Sequence, residues 1–251
     1  RLEHPQSLID EIRYHSPEGR GKYLPAAEYV YKAQAEGRGV YSFCMCPGGF
    51  VVPASTEPEE TVVNGMSPAN RGSRWANSGL VVELHPEDIP ATGIRVEDPT
   101  SPLALMQWCE AFEHKSYLAA NRSLRAPAQR MTDFVARRHS STLPSSSYTM
   151  GLTSSDLHEW MPDFITRRLS AGFRAFDRTT RGFLTGEAQL IGVESRTSSP
   201  VRIPRDRMTY AHPVVAGLYP AGEGAGFAGG IVSAAIDGEN AAQQIALALG
   251  R

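Results

Sequence analysis

Five glycines crowd into Ala221-Gly222-Glu223-Gly224-Ala225-Gly226-Phe227-Ala228-Gly229-Gly230, between the apolar run Val214-Val215-Ala216-Gly217-Leu218 and a segment rich in small residues that reaches Leu249. A strand that meets a glycine cluster and then a helix is expected here. Glycine reaches positive φ, and without a Cβ it lets backbone approach a ligand. The first N–H groups of the helix have no acceptor within it, and its dipole favours negative charge there. Two ligands match: a phosphate, or the N1/C2=O edge of a flavin, which turns anionic on reduction. The helix is expected from about Phe227, with Ile231, Ala234, Ala235, Ala242, Ile245 and Leu249 on its buried face. Gly224-x-Gly226-x-x-Gly229 formally satisfies the dinucleotide fingerprint, but that pattern requires a further strand and an acidic residue about 20 positions on. With one helix's worth of residues left before Arg251, the turn is expected to close a fold. Glu223 is placed to accept hydrogen bonds from ribityl hydroxyls. The alternative is a tight packing turn with a solvated glutamate.

The rest of the chain alternates in character. Pro5 to Tyr14 and Ala26 to Gln34 read as helices. Val40 to Cys44, Gly49 to Val52, Thr61 to Val63 and Leu80 to Leu84 read as strands, with Pro47-Gly48 a turn. Helices are expected at Pro102 to Ala119, Gln129 to Arg138 and Trp160 to Thr179. The last carries Met161, Phe164, Ile165, Leu169, Phe173 and Phe176 at spacings of three and four, the signature of a core-facing stripe. Gln189 to Glu194 and Val201 to Ile203 are further strands. The fold class is α/β or α+β: a mixed-sheet substrate or cap domain over 1–210, followed by the strand–turn–helix of 211–251.

Composition narrows the function. Of 251 residues, 41% are hydrophobic and 21% charged, enough for a packed core. The net charge of -2, without a Lys/Arg run, disfavours nucleic acid. No apolar run has membrane-spanning length. Three cysteines, an odd number, argue against a disulfide framework and point to a reducing cytoplasm. The opening Arg1-Leu2-Glu3-His4-Pro5 is neither a signal peptide nor an initiating methionine, and reads as the middle of a protein.

Few other residues suggest chemistry. Cys44 and Cys46 would share one face of a strand, as pocket-lining thiols or as two small buried hydrophobes. His4 is a candidate proton donor, or a satisfied histidine at a helix start. Arg196, at the end of a strand, is a candidate fork for a substrate carboxylate or a cofactor phosphate, or else part of a solvated basic strand edge. Arg202 and Arg205 read as a solvated edge.

Several blocks, taken together, carry a resemblance. They are Glu3-His4-Pro5-Gln6, Arg38 to Gly49 with its Cys-Met-Cys-Pro-Gly-Gly, Asn64-Gly65-Met66-Ser67, Glu194 to Ile203, and Ala221 to Ala235. In this order they resemble the C-terminal part of bacterial FAD-dependent dehydrogenases, the NAD(P)/FAD-dependent oxidoreductases, over nearly the whole chain. The resemblance implies that Gly222, Glu223, Gly224, Ala225, Gly226, Phe227, Ala228 and Gly229 face the ribityl and isoalloxazine portion of FAD. It also implies NAD(P)H as electron donor, a small-molecule substrate, and an N-terminal Rossmann segment of the same protein as partner. Nothing before Gly224 supplies that segment's GxGxxG, so the chain alone is expected to hold an incomplete FAD site and to be inactive. The competing reading is a non-catalytic ligand-binding or interaction module.

Overall fold

The computed structural model describes residues 1–250. Two compact units emerge. Among the described residues, one comprises 1–96 and 108–195, the other 97–107 and 196–250. The glycine turn belongs to the second of these units.

In chain order the elements are β1 (Leu2–Pro5), α1 (Gln6–Tyr14), β2 (Lys32–Ala35), β3 (Arg38–Cys46), β4 (Phe50–Pro53), β5 (Val63–Met66), β6 (Trp75–Val82), α2 (Ile89–Thr92), α3 (Ala104–Ala119), β7 (Ala126–Arg130), α4 (Met131–Ala136), β8 (Leu152–Ser154), α5 (Leu157–Trp160), α6 (Asp163–Thr179), β9 (Gln189–Ile191) and α7 (Ile231–Ala248).

The first unit is built on a seven-stranded sheet of order β2-β3-β6-β1-β9-β7-β8. All neighbours are antiparallel except β7 and β8, so the sheet is mixed and the fold is of the α/β kind. Strand periodicity divides β1 cleanly. Leu2 and His4 face the α6 side, while Glu3 faces the other. On the α6 side, Phe164, Ile165, Leu169, Phe173 and Phe176 bury against Leu2, Val40, Leu80 and Leu190, as the stripe predicts. On the other side, the β4–β5 hairpin places Val51 and Val63 against Ala126, Ala128 and Ile191.

Several boundaries differ from the sequence reading, each for a local reason. Ala26 to Gln34 is not a helix: most of it is irregular and its end joins β2, because tertiary pairing with β3 outweighs weak local propensity. The stretch from Trp160 divides at Pro162, which lacks an amide and restrains Met161 to extended backbone. Arg130 ends a strand, leaving only Met131–Ala136 as helix.

His4 lies fully buried between Phe183 and Tyr29, its Nε2 2.9 Å from the Phe183 carbonyl oxygen. That partner can only accept, so Nε2 carries the proton. Burial pushes the imidazole pKa down to about 4 from 6.5. Between these values the unfolded chain binds more protons than the folded one. Stability is therefore complete above 6.5 and falls as pH drops toward 4, by an amount on the order of 3 kcal/mol. In urea titrations between pH 7 and 4.5, His4→Gln should flatten this dependence. An identical slope in the variant would assign the acid sensitivity to other groups.

Candidate functional site

In the second unit the glycine segment forms a compact turn. The Gly226 amide donates to the Glu223 carbonyl at 2.8 Å, and the Phe227 amide to the Gly222 carbonyl at 3.0 Å. Gly222 and Gly226 both take positive φ, +74° and +83°. Val214 to Leu218 adds no strand before it, and α7 starts at Ile231 rather than Phe227. Val201 to Ile203 is not a strand either. It backs the turn instead: the Ile203 amide donates to the Ala225 carbonyl at 3.1 Å, and Arg202 Nε to the Gly226 carbonyl at 2.9 Å. The close approach at Gly226 is consequently to this backing segment. A Cβ there would stand 2.7 Å from the Val201 carbonyl oxygen.

Beside this contact lies a groove of about 420 Å³, lined by Ser198, Ser199, Arg202, Phe227, Ala228 and Gly229 among others. Among the described residues, nothing accepts from the Ala228 and Gly229 amides. The start of α7 has no side-chain cap and no acidic residue in its first turn. Among the described residues, the Ala228 and Gly229 donors thus have no protein partner. Glu223 is exposed beside Gly224. Gly222, Glu223, Gly224 and Ala225 complete the turn, and of these Ala225 is buried.

Arg196, the suggested substrate fork, is exposed and lies beyond the end of β9 at Ile191, so it does not sit at a strand terminus. Arg205 is not a solvated edge residue: its side chain is largely buried in a salt bridge with Asp237. Most of the apolar face expected on α7 is uncovered: Ile231 is 91% exposed and Leu249 67%, while Ala235 and Ala242 are also exposed. Only Asp237 and Ala241 are buried on that helix.

The first unit brings together residues that are far apart in sequence. The buried Arg1 guanidinium donates from Nε to Asn77 Oδ1 at 2.9 Å, from Nη1 to Glu194 Oε2 at 2.7 Å, and from Nη2 to the Cys44 carbonyl at 2.6 Å. Cys46 Sγ lies 3.3 Å from Nη2 and Asn64 Oδ1 3.4 Å from Nη1. Gly65 explains part of its block: a Cβ there would meet the Arg1 guanidinium at 2.1 Å. Gln6 likewise ties its block to the next, accepting from the Gly48 amide at 2.7 Å. Arg1 and Asn77 were not found from sequence. Asn77, polar and central in an apolar strand, was the available signal.

Cys44 and Cys46 do not share an environment. The register of β3 against β6 shifts between Phe43 and Cys46, and Cys44 takes a φ of 43°. This bulge turns Cys44 to solvent and leaves Cys46 buried. Burial, the largest influence, pushes the Cys46 thiol up, with Arg1 opposing it. Only Cys44 of the three thiols should therefore react promptly with an aromatic disulfide in the native protein, and all three in denaturant. Two prompt thiols would contradict the burial of Cys46.

Residues 1–197 match the family described as FAD-dependent protein, C-terminal domain-like. The chain belongs to this family. The matched range covers the sheet unit and ends just past Arg196, so this FAD-dependent protein C-terminal domain is principally the unit that gathers residues around Arg1. An uncharacterized protein of Clostridium beijerinckii is 42% identical over 249 residues, which is 98% of this chain. The chain spans only 45% of that relative's length. Among the described residues, no helix is long and apolar enough to cross a membrane.

Proposed function

We propose that this FAD-dependent protein C-terminal domain works as the C-terminal part of a FAD-dependent oxidoreductase. In this reading the glycine turn supplies the ribityl- and flavin-facing contacts, and the sheet unit supplies the substrate pocket. The observation that carries the reading is the groove lined by Ala228 and Gly229, whose amides have no acceptor among the described residues. Uncapped donors beside glycine are suited to an anionic or carbonyl-bearing planar group. The residues present thus fit the flavin end of FAD. Ala228 and Gly229 would hold its polar edge, and Glu223 would orient the ribityl hydroxyls. When bound, FAD supplies hydride or electron transfer. The chain's share is to place donors where negative charge develops, which favours the reduced cofactor.

In this reading the groove takes the flavin end, and other residues hold the ADP half. The relative's greater length leaves room for them. The uncovered apolar residues of α7, Val232 at 71% and Leu247 at 66% exposure, support a further segment of the same polypeptide, a Rossmann segment, packing there. NAD(P)H as electron donor and a cytoplasmic setting complete the proposal.

The test is an absorbance spectrum of the purified full-length protein, followed by anaerobic titration with NADH and NADPH. Flavin bands bleached by one nicotinamide would support the reading. A colourless protein that fails to take up added FAD would refute it. The 251-residue chain alone should bind FAD weakly or not at all. A tight stoichiometric complex would contradict the divided site.

A further inference from the structure

The second unit places an ion pair beneath the glycine turn. Arg205 grips Asp237 with both ends of its fork, Nη2 to Oδ1 at 2.6 Å and Nη1 to Oδ2 at 2.9 Å, and Nη1 also donates to the Pro220 carbonyl at 2.8 Å. Its guanidinium lies between two rings, 3.6 Å from the centroid of Phe227 and 4.0 Å from that of Tyr210. Asp237 Oδ2 accepts a further hydrogen bond, from the Gly222 amide at 2.8 Å. One carboxylate on α7 therefore joins the helix, the first glycine of the turn, and the arginine that stacks on Phe227.

Two apolar side chains of matching shape would avoid the desolvation of these charges, and stability alone gives little reason to keep a shielded ion pair. Apolar groups could not accept from Gly222 or donate to Pro220, however. The pair fixes the register of the turn against α7 through directional bonds. With few contacts along an otherwise exposed helix, little else in this unit enforces that register.

We propose that Arg205 and Asp237 are the positioning pair of the glycine turn, setting the direction in which the Ala228 and Gly229 amides open and hence how tightly, and at what potential, a group is held there. This rests on the flavin reading for the identity of that group. Neither residue is assigned contact with it.

The experiment compares the full-length protein with Asp237→Ala, Arg205→Met and Arg205→Lys. Amide hydrogen exchange is followed for 220–229, together with FAD affinity and reduction potential. Asp237→Ala and Arg205→Met should raise exchange in the turn and weaken FAD binding, each at least about tenfold, while exchange in α6 is unchanged. The potential should become more negative as the amides lose alignment. Arg205→Lys keeps the charge but loses the fork, and should recover part of both effects. Flavin retained with unchanged affinity and exchange in all three variants would overturn the positioning role and leave the flavin reading standing. A parent protein without flavin, whose turn still loosens in the variants, would refute the flavin reading while keeping the pair as organiser of the turn. If Asp237→Ala fails to fold, the graded order of Arg205→Lys and Arg205→Met decides, and equal exchange in both and in the parent overturns the proposal.

Discussion

Gly226→Val should destroy the glycine turn before any question of ligand arises. The residue has a φ of +83°, and its Cβ would lie 2.7 Å from the Val201 carbonyl oxygen and 3.0 Å from Arg202 Cα. Left-handed backbone costs an L-residue about 1–2 kcal/mol, more for a β-branched one. The clash is with backbone, which cannot rotate away, so the turn and Val201–Arg202 must separate. That separation breaks the Arg202 bond to the Gly226 carbonyl and the groove beside it. Gly229→Val is the informative contrast. At Gly229 an added Cβ meets nothing within 4 Å and no positive φ is required. Its turn should survive with unchanged melting temperature. Flavin retention should be lost in both variants, but amide exchange over 220–229 should rise only for Gly226→Val. Full flavin occupancy in Gly229→Val would remove the groove from the cofactor site, and an intact turn in Gly226→Val would show that the backing segment yields.

The same pair of glycines shows how far the sequence could be read. The cluster announced a turn with open amides, and the structure has one. The sequence could not say that Gly226 lies against the chain's own Val201, because a backing segment and a ligand make the same demand on the residue: no Cβ. The α6 stripe was legible because a helix packed on a sheet writes its burial with a period near 3.6. The strand at 32–35 was not, since Lys32 to Ala35 is extended only through pairing with β3. Cys44 and Cys46 were placed on one face by simple alternation, and a bulge, which leaves no mark in periodicity, separated them. Arg1 was illegible for a different reason. Its partners Cys44, Asn64, Asn77 and Glu194 come from four places in the chain, and only the fold brings them to one guanidinium. The burial of Arg205 is invisible in sequence because a shielded ion pair and a solvated arginine look alike there.

Phe173→Ala should be the most damaging single change in the sheet unit, at about 3–5 kcal/mol, the upper range for loss of a buried aromatic ring. Phe173 is fully buried in the cluster between α6 and the sheet, its ring tilted 60° to that of Phe134 at a centroid distance of 6.1 Å. The cost of such a truncation depends on whether the surroundings can collapse into the space. Here α6 cannot settle toward the sheet, because Gly172 already brings it close: a Cβ at that position would stand 2.6 Å from Val40 Cγ1. Leu169 and Phe176 are held on either side along the same helix face. Most of the cavity should therefore persist. Against a total stability of roughly 5–15 kcal/mol for a domain of ordinary size, the variant should unfold at a much lower urea midpoint with an unaltered slope. A loss under about 1 kcal/mol would mean that the helix shifts to fill the gap, and that its contact with β3 through Gly172 is looser than the 2.6 Å approach implies.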